Sequence, residues 1–569
     1  MNSLVILLIS IVVLVGGYLF YGKWLAKQWG VDPSRETPAH TMADGNDYCA
    51  AKAPVLLGHH FASIAGAGPI NGPIQAAIFG WVPVLLWILV GGVFFGATHD
   101  FAALFASIRH EGKSIGHVIE VNIGRRGKKL FLVFAYLTLL LVVAAFGSIV
   151  VGTFAGFNAD GSQNIANGRT AMISMLFIVL AIAFGFLVYR KNAPLGISTV
   201  IGVAALVACI AIGYNIPVFA SANFWTIFVM AYILIASVTP VWILLQPRDY
   251  LNSFLLYGMI ILAVVGIVVA HPTMNLPAYT GFGGVDGTSQ LFPVLFITVA
   301  CGAISGFHSL VGSGTTAKQL DNEKDAMAIG YGGMLIECAL AVISLICVSF
   351  LFGSDLIALK ASGIPDATPT VVFATGISQM LAKIGLPTDV MYSVLILAVS
   401  AFCLTSLDTA TRLARYMLQE FFVDEGESVE NLTGFKKAVS NPFIATLITV
   451  VLGGILMTGG YSLIWPLFGA ANQLLAALAL LACAAWLGNI GKNNKMFYIP
   501  MVFMLIATLT SLVITFKTKI GRLMNPPEAP TVLADVLQAG FSVVLFVLAI
   551  VLVFEGYKAL TNKKAAQSK

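Results

Sequence analysis

The sequence predicts an all-α integral membrane protein of about 15 transmembrane helices, built around a 5+5 inverted-repeat core. Three observations predict it. Of 569 residues, 58% are hydrophobic and only 10% charged, against roughly 25% charged in an ordinary soluble domain. Apolar runs of about 20 residues, the length that crosses a bilayer, recur along the whole chain. Two of these runs carry helix-breaking residues at corresponding positions in halves of opposite orientation, which is the pattern of a midplane site in inverted-repeat transporters.

The runs fall near 3–22, 57–79, 82–107, 130–152, 171–189, 195–214, 223–246, 252–270, 291–312, 328–352, 390–414, 442–458, 462–487, 497–516 and 531–555. The first follows Met1-Asn2-Ser3 with no positive n-region and no small-residue cleavage site, so it reads as a retained helix. Lys23 and Lys27 follow it directly, which places the N-terminus outside and, after fifteen spans, the C-terminus in the cytoplasm. Of 31 Lys and Arg, all but Arg169, Lys360, Lys383, Lys517, Lys519 and Arg522 then fall on the cytoplasmic side. The net charge of +5 is therefore a topology signal, and no nucleic-acid partner is expected. The chain divides into an extra helix and cytoplasmic loop (1–56), a first five-helix repeat (57–214), a second, inverted repeat (215–419), and a cytoplasmic loop with accessory helices (420–569). The first span and the last four brace the core.

The first interrupted run is HHFASIAGAGPINGP, His59 to Pro73. Gly66, Gly68, Pro69, Gly72 and Pro73 stop its helix, and the freed N–H and C=O groups are tolerated only against protein, water or a bound solute. Its expected counterpart is SVTPVWILLQP, broken at Thr239-Pro240 and Gln246-Pro247. Backbone N–H groups around Ala65, Gly66, Ala67 and Gly68 can receive a substrate carboxylate, helped by the positive end of a half-helix. Ser237 and Thr239 offer hydroxyls and carbonyls, Trp242 an apolar wall or ordinary packing, and Gln246 a further polar contact. Asn472 and Gln473 form a polar pair in an apolar helix and require partners, either neighbouring helices or the substrate.

Ionisable groups inside spans are costly and point to function. His308, between Ser305 and Ser309, and Glu337 in MLIECALAVISLICV are the deepest. His59 and His60 lie near the cytoplasmic end of the broken helix, where histidine can exchange a proton near neutral pH. Proton coupling through these groups is the preferred drive. A sodium site from the Ile64 and Ala65 carbonyls with the Ser305 and Ser309 hydroxyls is the alternative, with hard oxygen ligands. Asp408 and Arg412 stand four apart and are expected to pair on one helical face; His99-Asp100 reads as interfacial.

Enzymatic chemistry finds little support. The seven cysteines show no metal-ligand spacing and read as packing residues, so no metal or cofactor is expected. Gly312-Ser313-Gly314-Thr315-Thr316-Ala317-Lys318 does not fit a phosphate loop, and no HExxH occurs. Loop 271–290 is a possible external lid, TPTVVFATGISQMLAKIG a short helix, and Glu420 with Asp424, Glu425, Glu427 and Glu430 a solvated acidic run.

The stretches GHHFASIAGAGPINGPIQAAIFGWVPVLLWILVGGVFFGATHDF (58–101), SVTPVWILLQPRDYLNSF (237–254), SGFHSLVGSGTTAKQL (305–320) and IWPLFGAANQLLAALAL (464–480) resemble the carbon starvation protein A family. The resemblance implies a bacterial inner-membrane secondary transporter of the amino acid-polyamine-organocation superfamily, with a leucine-transporter-like fold, that scavenges peptides or pyruvate during starvation. The expected function is import of short peptides with a co-transported H+ or Na+. A pyruvate symporter is the alternative, and a non-transporting nutrient sensor a further class. Oligomeric state leaves no signal in the sequence.

Overall fold

Twelve described helices are long and apolar enough to cross a membrane, or thirteen if the bent pair Gly434–Ser440 and Pro442–Met457 is one span. The structure is a computed structural model describing residues 2–567 other than 46, 159, 192, 286, 288, 353–367, 424–431, 458–460 and 526–531. Among the described residues, length and composition alone do not confirm the expected count of about fifteen. Segment 53–79 divides into short pieces, Ala222–Val238 has 17 residues, and Pro442–Met457 has 16. Lys360 and the acidic run from Asp424 to Glu430 lie outside the described residues.

Nine helices build the centre: α1 (Ala53–Ala65), α2 (Gly68–Ala76), α3 (Arg125–Phe154), α4 (Leu245–Ala270), α5 (Leu291–Val299), α6 (Gly306–Gly314), α7 (Gly332–Phe352), α8 (Thr388–Phe422) and α9 (Tyr461–Asn489). The long helices α3 and α8 pack side by side and form the scaffold. At 1.5 Å per residue the 35 residues of α8 reach roughly 52 Å, well past a hydrocarbon core of about 30 Å. Arg415, Tyr416 and Glu420 lie in its last turns.

Sequence explains where α1 stops. Gly66 takes φ +23° and ψ −152°, a conformation open to glycine and strained for other residues. Pro69 then occupies the first turn of α2, where a missing N–H costs nothing. Outer helices turn apolar side chains outward, with Val200 70% and Ile227 72% exposed. By contrast, α9 is enclosed: residues from Ile464 to Leu487 are buried apart from Pro466. It was expected to brace the core from outside, and its Asn472-Gln473 pair instead places it within.

Loop 271–290 folds back over the end of the first broken segment, where Trp81 and Val82 donate to the Pro277 and Ala278 carbonyls at 3.1 Å each. The expected short helix is present at Pro369–Ala382 and packs on α8, α4 and α7.

Candidate functional site

Two broken segments meet in the centre. The first break, at Gly66-Ala67, faces a second at Ala300–Ser305, between α5 and α6. Ala300 adopts φ +39°, and a short 3-10 turn over Ala300–Gly302 precedes α6. Close approach requires glycine here. A Cβ on Gly72 would lie 2.5 Å from the Val299 carbonyl oxygen, and one on Gly68 would lie 2.6 Å from Cys301 Sγ.

The break at Ser237 to Pro240 was expected to face Ala65–Gly68, and the structure places it elsewhere, in the turn between Ala222–Val238 and α4. Ser237 Oγ lies 3.2 Å from Thr446 Oγ1, Thr239 bonds back to the Ile235 carbonyl at 2.8 Å, and the Trp242 carbonyl abuts Gly185. Proline there ends one helix before the next begins, forming a turn at the edge of the bundle. Only Gln246 reaches the centre, donating to Gln319 Oε1 at 3.1 Å.

Asn472 and Gln473 support the second break. Asn472 Oδ1 accepts the Phe307 N–H at 2.7 Å, and its Nδ2 donates to Ser305 Oγ at 3.0 Å. Gln473 Nε2 donates to the Ile304 carbonyl at 2.9 Å. The pair thus caps the start of α6 from a neighbouring helix, satisfying backbone groups that a break exposes. Asn472→Ala is expected to lower stability by about 1–3 kcal/mol, the cost of a buried donor left unpaired, read as a lower unfolding midpoint in detergent. An unchanged midpoint would remove the capping role. For the sodium alternative, Ser305 already bonds Asn472 and Ser309 Oγ donates to the Gly306 carbonyl at 2.6 Å.

Two buried ionisable clusters flank the breaks. In the first, Asp100 bridges two histidines: Oδ1 lies 2.7 Å from His99 Nδ1 and Oδ2 lies 2.7 Å from His308 Nδ1. Glu337 Oε2 lies 3.4 Å from His308 Nε2, and the Ile64 carbonyl at the end of α1 approaches the same ring. His60 is buried close by, with Nδ1 2.8 Å from Thr316 Oγ1. His99-Asp100, expected at the interface, is 1–2% exposed. Its helix, Ala97–Ile108, packs against α6.

The second cluster joins α1, α4, α8 and Ala222–Val238. Arg248 donates to Asp249 Oδ1 from Nε at 3.1 Å and Nη2 at 2.7 Å, to Tyr232 OH at 2.5 Å, and to Asp408 Oδ2. Tyr232 donates to the same Asp408 oxygen at 2.8 Å. Asp249 Oδ2 lies 2.8 Å from His59 Nδ1, and His59 Nε2 lies 3.3 Å from Gln319 Nε2. Asp408 therefore pairs with Arg248 and not with Arg412. Arg412 instead donates to the Ala236 carbonyl at 2.9 Å and to the Thr239 carbonyl, with Asp47 at 3.5 Å. A free pair of helix-end carbonyls competes well for a guanidinium fork. In that loop, burial raises the Asp47 carboxyl, but Lys318, the Tyr416 hydroxyl and the nearby arginines outweigh it and hold it below its ordinary value.

Above the first break, a cavity of about 1050 Å³ runs from buried Asn71 on α2 to the exposed loop at Phe157–Gln163. A separate cavity of about 410 Å³, with Tyr48, Lys113, His117, Lys318 and Glu420 in its wall, lies at the opposite end.

Apposed half-helices thus stand beside buried ionisable groups, held by a two-helix scaffold. The fold is that of the Eremococcus coleocola manganese transporter, 13% identical, with a TM-score of 0.51 over 91% of this chain and 99% of that one. It places the bundle in the leucine-transporter-like class. The chain belongs to the carbon starvation protein CstA family, whose family model matches residues 2–364 and 358–511. It is 35% identical to the peptide transporter CstA of Campylobacter jejuni over 89% of this chain and 79% of that protein. It is 31% identical to the peptide transporter CstA of Bacillus subtilis, covering 98% and 97%. It is also 32% identical to the pyruvate/proton symporter BtsT of Escherichia coli, covering 90% and 81%. The chain is a membrane transporter.

Proposed function

We propose that this transporter imports short peptides across the inner membrane, driven by protons, through alternating access around the two breaks. The observation that carries the substrate reading is the lining of the larger cavity. Asn71, Asn158, Asn164, Asn167, Thr153 and Thr370 contribute carboxamides and hydroxyls, and Asp160 is the sole charged side chain among the described residues that line it. Such groups both donate and accept, as peptide groups do. A small carboxylate is better served by a fixed cation, and the volume far exceeds what a three-carbon acid requires. With the N-terminus outside and the C-terminus in the cytoplasm, the cavity opens outward and the Arg248 cluster closes the inner side. Opposed breaks favour a repeat that pairs 53–79 with 291–318 and 125–154 with 388–422.

Charge balance supports proton coupling. Around Arg248 stand two buried carboxylates, Asp249 and Asp408, and the set with His59 is neutral when it holds one added proton. Loading His59 would hold the inner side closed, and its release would loosen it. His59→Gln is expected to reduce peptide accumulation under a pH gradient to the level reached without one, while substrate exchange at equal pH persists. Full gradient-driven accumulation in that variant would sink the role.

Pyruvate is the second reading, favoured by the similarity to the BtsT symporter. Uptake of labelled dipeptide and labelled pyruvate into proteoliposomes, under a pH gradient and then a Na+ gradient, tests both. Dipeptide accumulation that follows the pH gradient is expected. Accumulation of pyruvate alone would overturn the substrate, a Na+ requirement would overturn the coupling, and binding without accumulation would leave a sensor.

A further inference from the structure

We propose that Cys301, His308 and Glu337 form a binding site for a divalent transition-metal ion of the zinc or cobalt type. Their ligand atoms lie within 4.8 Å of one another, and all three residues are buried. Sequence spacing gave no hint because Cys301 lies within the second break, His308 follows it on α6 and Glu337 comes from α7.

The second observation is what these groups lack. Neither carboxylate oxygen of Glu337 nor Nε2 of His308 has a hydrogen-bond partner among the described residues, although both side chains are at most 1% exposed. Unpaired buried polar atoms are expensive and call for a ligand. His308 Nδ1 lies 2.7 Å from Asp100 Oδ2, so Nδ1 carries the hydrogen and Nε2 presents its lone pair towards Glu337. A lone pair facing a carboxylate repels it unless a proton or a metal ion lies between, and a metal ion would also engage the nearby thiol of Cys301. The observed 3.4 Å between Nε2 and Oε2 is close to the roughly 3.3 Å expected between two ligands bound at about 2.0 Å to a tetrahedral ion.

The chemistry of the set is selective. A thiolate, a neutral imidazole and a carboxylate suit a borderline-soft ion better than Na+, Mg2+ or Ca2+. Cys301 releases its thiol proton to solvent on binding, so thiolate, carboxylate and M2+ sum to zero charge, as a buried site requires. Asp100 supplies the carboxylate behind a ligating histidine that fixes its tautomer. Three protein ligands leave a fourth position open. A bound ion would tie the break itself and the start of α6 to α7 and fix the bend between α5 and α6.

Purified full-length protein, stripped with chelator and titrated with Co2+, tests this without reference to transport. One equivalent is expected, with near-ultraviolet thiolate-to-cobalt absorption and visible bands of tetrahedral intensity. Cys301→Ser should remove the near-ultraviolet band. Glu337→Gln and Asp100→Asn should each weaken affinity by about 10–100-fold, whereas His117→Ala, at the opposite cavity, should leave it unchanged. Gel-filtration profile and unfolding midpoint identify variants that fold as the parent does. Failure of the parent to bind Co2+ or Zn2+, or binding that survives unaltered in both Cys301→Ser and Glu337→Gln, would overturn the site.

Discussion

Arg248→Ala is expected to abolish gradient-driven uptake and to destabilise the protein by about 3–5 kcal/mol, the cost of leaving buried partner charges uncompensated. Arg248 is 1% exposed and touches Asp249, Asp408 and Tyr232 together. Its removal strands two carboxylates between α4 and α8. Arg248→Lys should recover only part of the loss, because one ammonium cannot reproduce a guanidinium fork that serves two carboxylates. Asp408→Asn in the Arg248→Ala background should regain stability, since it removes one stranded charge. The unfolding midpoint in detergent separates these effects from transport. A parent-like midpoint and parent-like uptake in Arg248→Ala would show that the cluster closes nothing.

Arg248 also shows why part of the site was hidden. In sequence it stands after Pro247 and reads as one more cytoplasmic charge at a span end, and nothing local announces that α4 begins inside the bundle. Asp100 was misplaced for a similar reason: an apolar run ending in His-Asp looks interfacial, and only packing against α6 brings it to His308. The first break was legible because glycine and proline punctuate helices by backbone sterics alone. Its partner was missed because Ala300–Ser305 contains no proline. The available signal was weaker, two glycines, Gly302 and Gly306, around a serine and just before a buried histidine. At Thr239-Pro240 the proline was real, but it makes an edge turn, so residue type located a break without locating its neighbours. Asn472 and Gln473 were legible as polar groups in need of partners, and their partners proved to be the exposed backbone of the break that sequence reading had missed.

The closeness of the two breaks itself makes a prediction. Gly72→Ala is expected to block transport while costing about 1–3 kcal/mol from overpacking. The added Cβ would lie 2.5 Å from the Val299 oxygen and 2.7 Å from the Thr298 oxygen. Both are backbone atoms, so no side chain can rotate away, and α2 must move off α5. Gly152→Ala is the control: Gly152 is an exposed residue of α3, and a Cβ there meets nothing within 4 Å. On α3 that change should leave uptake intact and raise stability by roughly 0.5–1 kcal/mol, through the lower entropy of the unfolded chain. If Gly72→Ala transported like Gly152→Ala, close contact between the half-helices would be dispensable. Loss confined to Gly72→Ala would instead show that substrate passage depends on how α2 rests against the carbonyl end of α5.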